Sequence, residues 1–174
     1  MKLDFKSIIA GIALMSLASP AQAQFAANSD APITGGADKV EYAKEYSVFS
    51  GQVDVRQDNV RILSDVMKVY SGQSAGGDQA FDNVSRIEAI GNFYYITPEQ
   101  EVKGDQGVYE RTADNFIVTG NVILLQGEDN VVTGDRLVYT LADNKAVMTG
   151  NCKGRKCGQQ GRVNILIKNT NGRR

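Results

Sequence analysis

Asp38, Asp105 and Asp135 recur at one position ahead of a tyrosine, in DKVEY, DQGVY and DRLVY. Paired carboxylates are the working parts of acid/base hydrolysis. Histidine, the commonest general base and metal ligand, is absent from the chain. An aspartate that returns at the same place in a repeated unit is better explained as a hydrogen-bond acceptor at a turn or strand edge. No catalytic residue is assigned, and the protein is not expected to be an enzyme. The stretch GEDN, residues 127–130, lacks the repeated acidic spacing and terminal Glu of a calcium loop. Neither a metal nor a cofactor is expected.

The remaining reactive side chains are two cysteines, Cys152 and Cys157, which enclose KGRK. Their C-x4-C spacing is not the C-x-x-C of a redox centre, and one pair without His cannot close a zinc site. Residues 1–23 hold Lys2 and Lys6, an apolar run from Ile8 to Leu17, and the small-residue site Ala21-Gln22-Ala23. That order reads as a cleaved export signal. In an oxidising exported compartment a disulfide between Cys152 and Cys157 is the expected use of the pair. Cleavage leaves 174 − 23 = 151 residues, enough for one domain with a sizeable core.

Charge is divided along the chain. Residues 24–151 carry ten Lys/Arg against nineteen Asp/Glu, whereas residues 152–174 carry seven basic residues and no acidic one. The basic end suits phosphates, the acidic face of a second copy, or simple solvation. Nucleic acid is not an expected partner, because the basic residues lack interleaved aromatics and the chain reads as exported.

These residues are carried by a repeat. The stretch GDQGVYERTADNFIVTGNV at residues 104–122 returns as GDRLVYTLADNKAVMTGNC at residues 134–152. Aligning on Tyr42, Tyr70, Tyr109 and Tyr139 gives four units, each reaching a glycine step at Gly51, Gly91, Gly120 or Gly150 and then an extended segment. The long second interval holds a loop at residues 73–83, expected to be flexible. FSGQVDVRQ alternates Phe49, Val53 and Val55 with Ser50, Gln52, Asp54 and Arg56, the period of a strand. Carried through the aligned glycines, this parity puts Phe93, Tyr95, Val118, Val122, Leu124, Ala146 and Met148 on one inner face, joined by Val40, Tyr42, Tyr109, Leu137 and Tyr139. One unit changes parity between Ile62 and Met67, which predicts a one-residue bulge near Ser64-Asp65. TADN and LADN are turn chemistry. Nothing from Asp38 onward shows a helical apolar stripe, so the expected fold is all-β, an antiparallel array of short repeated strand units. Pattern alone leaves open whether the inner residues fill a closed core or line a gap.

The run VKGDQGVYERTADNFIVTGNVILLQGEDNVVTGDRLVYTLADNKAVMTG, residues 102–150, resembles the repeat core of LptA, also called OstA-like, the family of periplasmic lipopolysaccharide-transport proteins. The TGN-V step followed by TGD-x-x-x-Y is its most specific part. Weaker likeness reaches upstream through API and VRILSDVMKVY and downstream through GRVNILIK. The resemblance implies an open β-jellyroll over residues 33–168, with residues 24–32 a flexible N-terminal segment and residues 169–174 a basic tail. It implies a periplasmic location and a lipid-holding groove. Phe49, Val53, Val55, Phe93, Tyr95, Val118, Val122, Leu124 and Leu137 are the candidates to meet acyl chains. It also implies copies stacked head to tail, with Val163, Ile165 and Ile167 on one docking edge and Ile33 near the other. Partners would then include an inner-membrane transport complex and an outer-membrane translocon. CKGRKC is foreign to the family pattern, and Gly35 stands where a first strand would show an apolar residue. The alternative is a structural adaptor that pairs through strand edges and carries no lipid.

Overall fold

A computed structural model describes residues 31–71, 84–127, 130–143, 145–152, 157 and 161–167. The export signal, most of the N-terminal segment, the loop at 73–83, the KGRK residues, Lys168 and the basic tail lie outside the described residues.

The described residues form a ten-stranded antiparallel sheet. Its body is a run of long strands paired in chain order: β3 (Tyr46–Gln57), β4 (Val60–Ser71), β5 (Val84–Ile96), β6 (Gln100–Glu110), β7 (Asn115–Gln126) and β8 (Asn130–Thr140). At one end β1 (Thr34–Gly36) and β2 (Lys39–Tyr42) pair with the second and first halves of β3. At the other, β9 (Lys145–Thr149) and β10 (Asn164–Ile167) pair with the second and first halves of β8. Each end is therefore one long strand broken in two.

Every long strand is bent at its middle, by two devices that alternate. On β3, β5 and β7 the bend is a pair of successive left-handed residues, Gly51-Gln52, Gly91-Asn92 and Gly120-Asn121. Gly and Asn tolerate that conformation best, which explains the recurring GN. Two inserted residues preserve parity, so Phe49 and Val53 face the same way. On β4, β6 and β8 the pairing slips opposite those bends, between Leu63 and Val66 on β4 and between Lys103 and Gln106 on β6. There the buried set changes parity, from Ile62 and Ser64 to Met67 and Val69, and from Val102 to Tyr109. The expected bulge at Ser64-Asp65 is present. It is the rule of every second strand, not the exception of one unit.

The recurring aspartates hold this crease. Asn92 Nδ2 donates to Asp65 Oδ2 at 2.9 Å, and Asn121 Nδ2 to Asp105 Oδ2 at 3.1 Å. The backbone N–H and side-chain amide of Asn151 donate to Asp135 at 2.8 and 3.2 Å. Asp38 N–H bonds the Gly51 carbonyl at 2.9 Å, and its carboxylate lies where a Gly51 Cβ would stand. Asp65 thus belongs to the set, hidden from the tyrosine spacing because its unit is one residue longer.

The crease folds the sheet onto itself, so the inner faces of its halves meet. The Phe93 ring lies on the bare backbone of Gly107 across the fold, and Val118 lies on Gly104 in the same way. Tyr95 meets Phe116 in a tilted contact, with ring centroids 4.9 Å apart. The result is an open antiparallel β-jellyroll with one apolar core between its walls. Thr112 to Asp114 and Leu141 to Asp143 lie in turns, as the TADN and LADN stretches require.

Candidate functional site

The nine residues expected to meet acyl chains come together. Phe49, Val53, Val55, Phe93, Tyr95, Val118, Val122, Leu124 and Leu137 lie in one buried cluster. The bulge on β4 brings Ile62, Met67 and Val69 to the same cluster, and Ala89 of β5 and Val102 of β6, which sequence reasoning did not place, join it. The aromatic wall continues from Phe116 to Tyr109 at 5.1 Å and from Tyr95 to Tyr139 at 6.1 Å. Burial raises the Tyr95, Tyr109 and Tyr139 phenols above their ordinary range, so the wall stays neutral at any physiological pH.

Four of the other expected inner residues are inward-facing but not covered. Val40 pairs with Phe49 and Tyr42 with Ser47, yet they are 36% and 55% exposed. Ala146 pairs with Tyr139 and Met148 with Leu137, yet Ala146 is exposed and Met148 only half-buried. These strands are the last at their ends, and no described strand lies beyond to complete the walls. Of the expected docking residues, Ile165 and Ile167 are 64% and 66% exposed on β10. Val163 is half-buried just before the strand, and Ile33 packs against the core just before β1.

The interior is closed at its centre and opens towards β9. Phe93, Val118, Val122 and Leu137 are at most 1% exposed. Towards β9 lies a cavity of about 370 Å³, lined by the apolar Leu124, Val132, Leu137, Ala146 and Met148 with Tyr139, and by the polar Glu99, Gln100 and Gln126. A lining part apolar and part polar suits an amphiphile.

The cations of the long strands are largely engaged on the outer face. Arg56 and Arg61 both grip Asp54, with closest contacts of 2.8 Å, and hold its carboxyl well below the usual carboxylate range. Arg86 pairs with Glu88 at 2.9 Å and also with Glu110, and Lys103 lies over the Tyr94 ring. Among the described residues no group of three His, Cys, Asp or Glu side chains is placed to hold a metal, and no helix is long and apolar enough to cross a membrane.

Cys152 and Cys157 are joined as a disulfide. Their place in the repeat differs from expectation. Gly120-Asn121 runs directly into Val122, but Gly150-Asn151 is followed by residues 152–162 before Val163 reaches the equivalent position, as the pairing of Asn164 with Thr133 and of Ile123 with Thr133 shows. The eleven residues 152–162 are an insertion at the crease itself, closed at its base by a 2.7 Å bond from Cys152 N–H to the Gly161 carbonyl.

Residues 32–145 match the family described as LptA/(LptD N-terminal domain) LPS transport protein. An uncharacterized protein of Rhizobium meliloti is 28% identical over 165 residues, spanning 92% of this chain and 84% of its own length. The LPS-assembly protein LptD of Salmonella choleraesuis is 32% identical over 81 residues, 45% of this chain but only 10% of that protein. The crystal structure of LptH from Pseudomonas aeruginosa, titled the LptA homologous periplasmic component of the lipopolysaccharide transport device, superposes with a TM-score of 0.65. That likeness covers 82% of this chain and 99% of the other at 18% identity, and so speaks to the fold. With residues 32–145 matched, more than half of its length, the chain belongs to the LptA/(LptD N-terminal domain) family of LPS transport proteins.

Proposed function

We propose that this protein binds lipopolysaccharide by its acyl chains between the two walls and conducts it through the periplasm, from the inner to the outer membrane, as one link of a head-to-tail β-bridge. The observation that carries the reading is the continuity of the apolar face. It runs strand by strand to both ends of the sheet and is left uncovered there, at Val40 and Tyr42 and at Met148, Ile165 and Ile167. Roughly ten methylenes buried from one acyl chain are worth on the order of 8 kcal/mol before ordering costs. That attraction is non-directional, so the cargo can slide. Direction must come from an energy-using partner at the inner membrane, and the bridge would deliver to an outer-membrane translocon. Because the centre is filled by its own side chains, loading there requires the walls to part, and the cavity beside β9 is where a chain can start. The same filled centre favours a second reading, an adaptor that pairs through its edges without cargo.

The alternation at the crease also orients the bridge. Strands carrying the crease aspartate and strands carrying Gly-Asn or Gly-Gln alternate from β1/β2 to β9/β10, so one end is an aspartate strand and the other a Gly-Asn strand. Head-to-tail stacking continues the alternation, whereas head-to-head stacking breaks it. Where a glycine strand precedes an aspartate strand, the residue before the glycine pairs with the residue after the aspartate: Ser50 with Val66, Ile90 with Gln106, Thr119 with Arg136. Applied at the joint, this rule sets Thr149 opposite Lys39 of the next copy. In the other wall it sets Ile165 opposite Gly35 and Ile167 opposite Ile33, so the exposed Ile165 covers the place where Gly35 offers no side chain.

A photo-crosslinker at Met148 in the folded mature protein, incubated with lipopolysaccharide, should capture it. Folded protein that captures none, and carries no amphiphile in native mass spectrometry, would leave the adaptor. Copies carrying Thr149→Cys mixed with copies carrying Lys39→Cys should form a disulfide-linked heterodimer in preference to either homodimer.

A further inference from the structure

Two positions of the inner face break the apolar pattern side by side. Ser47 stands four residues before its crease glycine, where the sister units have Ile87, Phe116 and Ala146; Ser71 stands six residues after its crease aspartate, where the sister units have Lys44, Arg111 and Leu141. Ser47 and Ser71 are buried, at 0% and 8% exposure, as are Ile87, Phe116 and Leu141. Ser47 pairs with Val69, two residues from Ser71 on the same face of β4, so the serines are diagonal neighbours on adjacent strands. Neither hydroxyl has a hydrogen-bond partner. Among the described residues their strand neighbours on this face are the buried apolar Met67, Val69, Val84 and Ile87. A third unpartnered hydroxyl, Ser64, has a steric reason for its size: it sits at the crease position held by Gly104 and Gly134, where the walls press together. Ser47 and Ser71 lie away from the crease, where larger side chains fit in the sister units.

Buried hydroxyls without partners are rare, and removing them in favour of apolar groups is ordinarily neutral or favourable. We infer that Ser47 and Ser71 form a polar subsite of the interior that takes a hydroxyl, ester or amide group borne near the head of an acyl chain. The inference rests on the lipid-holding reading above. A hydroxyl both donates and accepts, so the pair can bond any of these groups and set the depth at which an otherwise sliding chain rests. The subsite would mark, on β3 and β4, the boundary between buried tail and solvated head.

The test compares β-hydroxymyristate with myristate, chains alike except for one hydroxyl, binding to the mature protein by calorimetry or by displacement of a fluorescent fatty acid. The wild type should bind the hydroxylated chain about tenfold more tightly, the strength of one well-made neutral hydrogen bond. The Ser47→Ala/Ser71→Ala variant should bind the two within about twofold of each other and hold myristate no less tightly than the wild type. Its melting temperature should equal or exceed that of the wild type. Equal binding of both chains by the wild type, or a preference that survives in the variant, would overturn the subsite while leaving lipid holding intact. A variant that melts several degrees lower would show that the hydroxyls are bonded within the protein, and would overturn it too. If neither chain binds the wild type, the lipid-holding reading fails along with the subsite.

Discussion

Replacing Gly120 by alanine tests the crease most directly. Gly120 has φ +79°, a conformation that costs an L-residue about 1–2 kcal/mol. The new Cβ would collide with the Asp105 carboxylate and stand 2.7 Å from the Asp105 Cβ. Asp105 must then move, losing its bond from Asn121, worth about 1 kcal/mol. The sum is about 2–3 kcal/mol, or a fall of about 1 M in the urea midpoint at a slope near 2 kcal/mol/M. Gly127→Ala supplies the comparison, since Gly127 has φ +62° but no described atom within 4 Å of its Cβ position, leaving only the conformational part. In a double-mutant cycle, Asp105→Gly should relieve about 1 kcal/mol of the Gly120→Ala penalty, because it removes the colliding side chain. Gly120→Ala no worse than Gly127→Ala, or a cycle without coupling, would refute the claim that these aspartates and glycines pack as pairs.

Phe93→Ala should destabilise by about 3–5 kcal/mol, given its full burial against Gly107, and Gly107→Ala by about 1–3 kcal/mol through overpacking that Phe93→Leu partly relieves in urea titrations. Asp54→Asn should remove no more than about 1 kcal/mol, since its arginine partners are solvent-screened. Because the folded carboxyl is depressed, the wild type's advantage over this variant should be complete above the unfolded value near pH 4 and vanish as pH falls through the folded one; an advantage that grows in acid would contradict the assignment. Cys152→Ser/Cys157→Ser should leave global unfolding within about 0.5 kcal/mol but speed hydrogen exchange at Asn164–Ile167, because the insertion ties down only the terminal strand.

The glycine steps, the period-two alternation and the turn stretches made the strand units, their inner face and the family legible before any coordinates. Side-chain period is a local property that each strand writes for itself, so Phe93, Val122 and Leu137 could be placed by counting. Counting failed where the answer lay on a neighbouring strand. The partner of Asp105 is Asn121, and that of Asp65 is Asn92, 27 residues away. Spacing alone therefore showed a recurring aspartate without its role, and missed Asp65. The parity shift looked like an accident of one unit because only pairing reveals that it answers the Gly-Asn bend beside it. Likewise, CKGRKC stood out as foreign, but its being an insertion within the crease required the register of Asn164 on β8. Whether an apolar face is core or wall depends on what lies opposite it. Local sequence determined which side chains face inward; the folding of the sheet along its crease decided that they meet at the centre and stand uncovered at the ends.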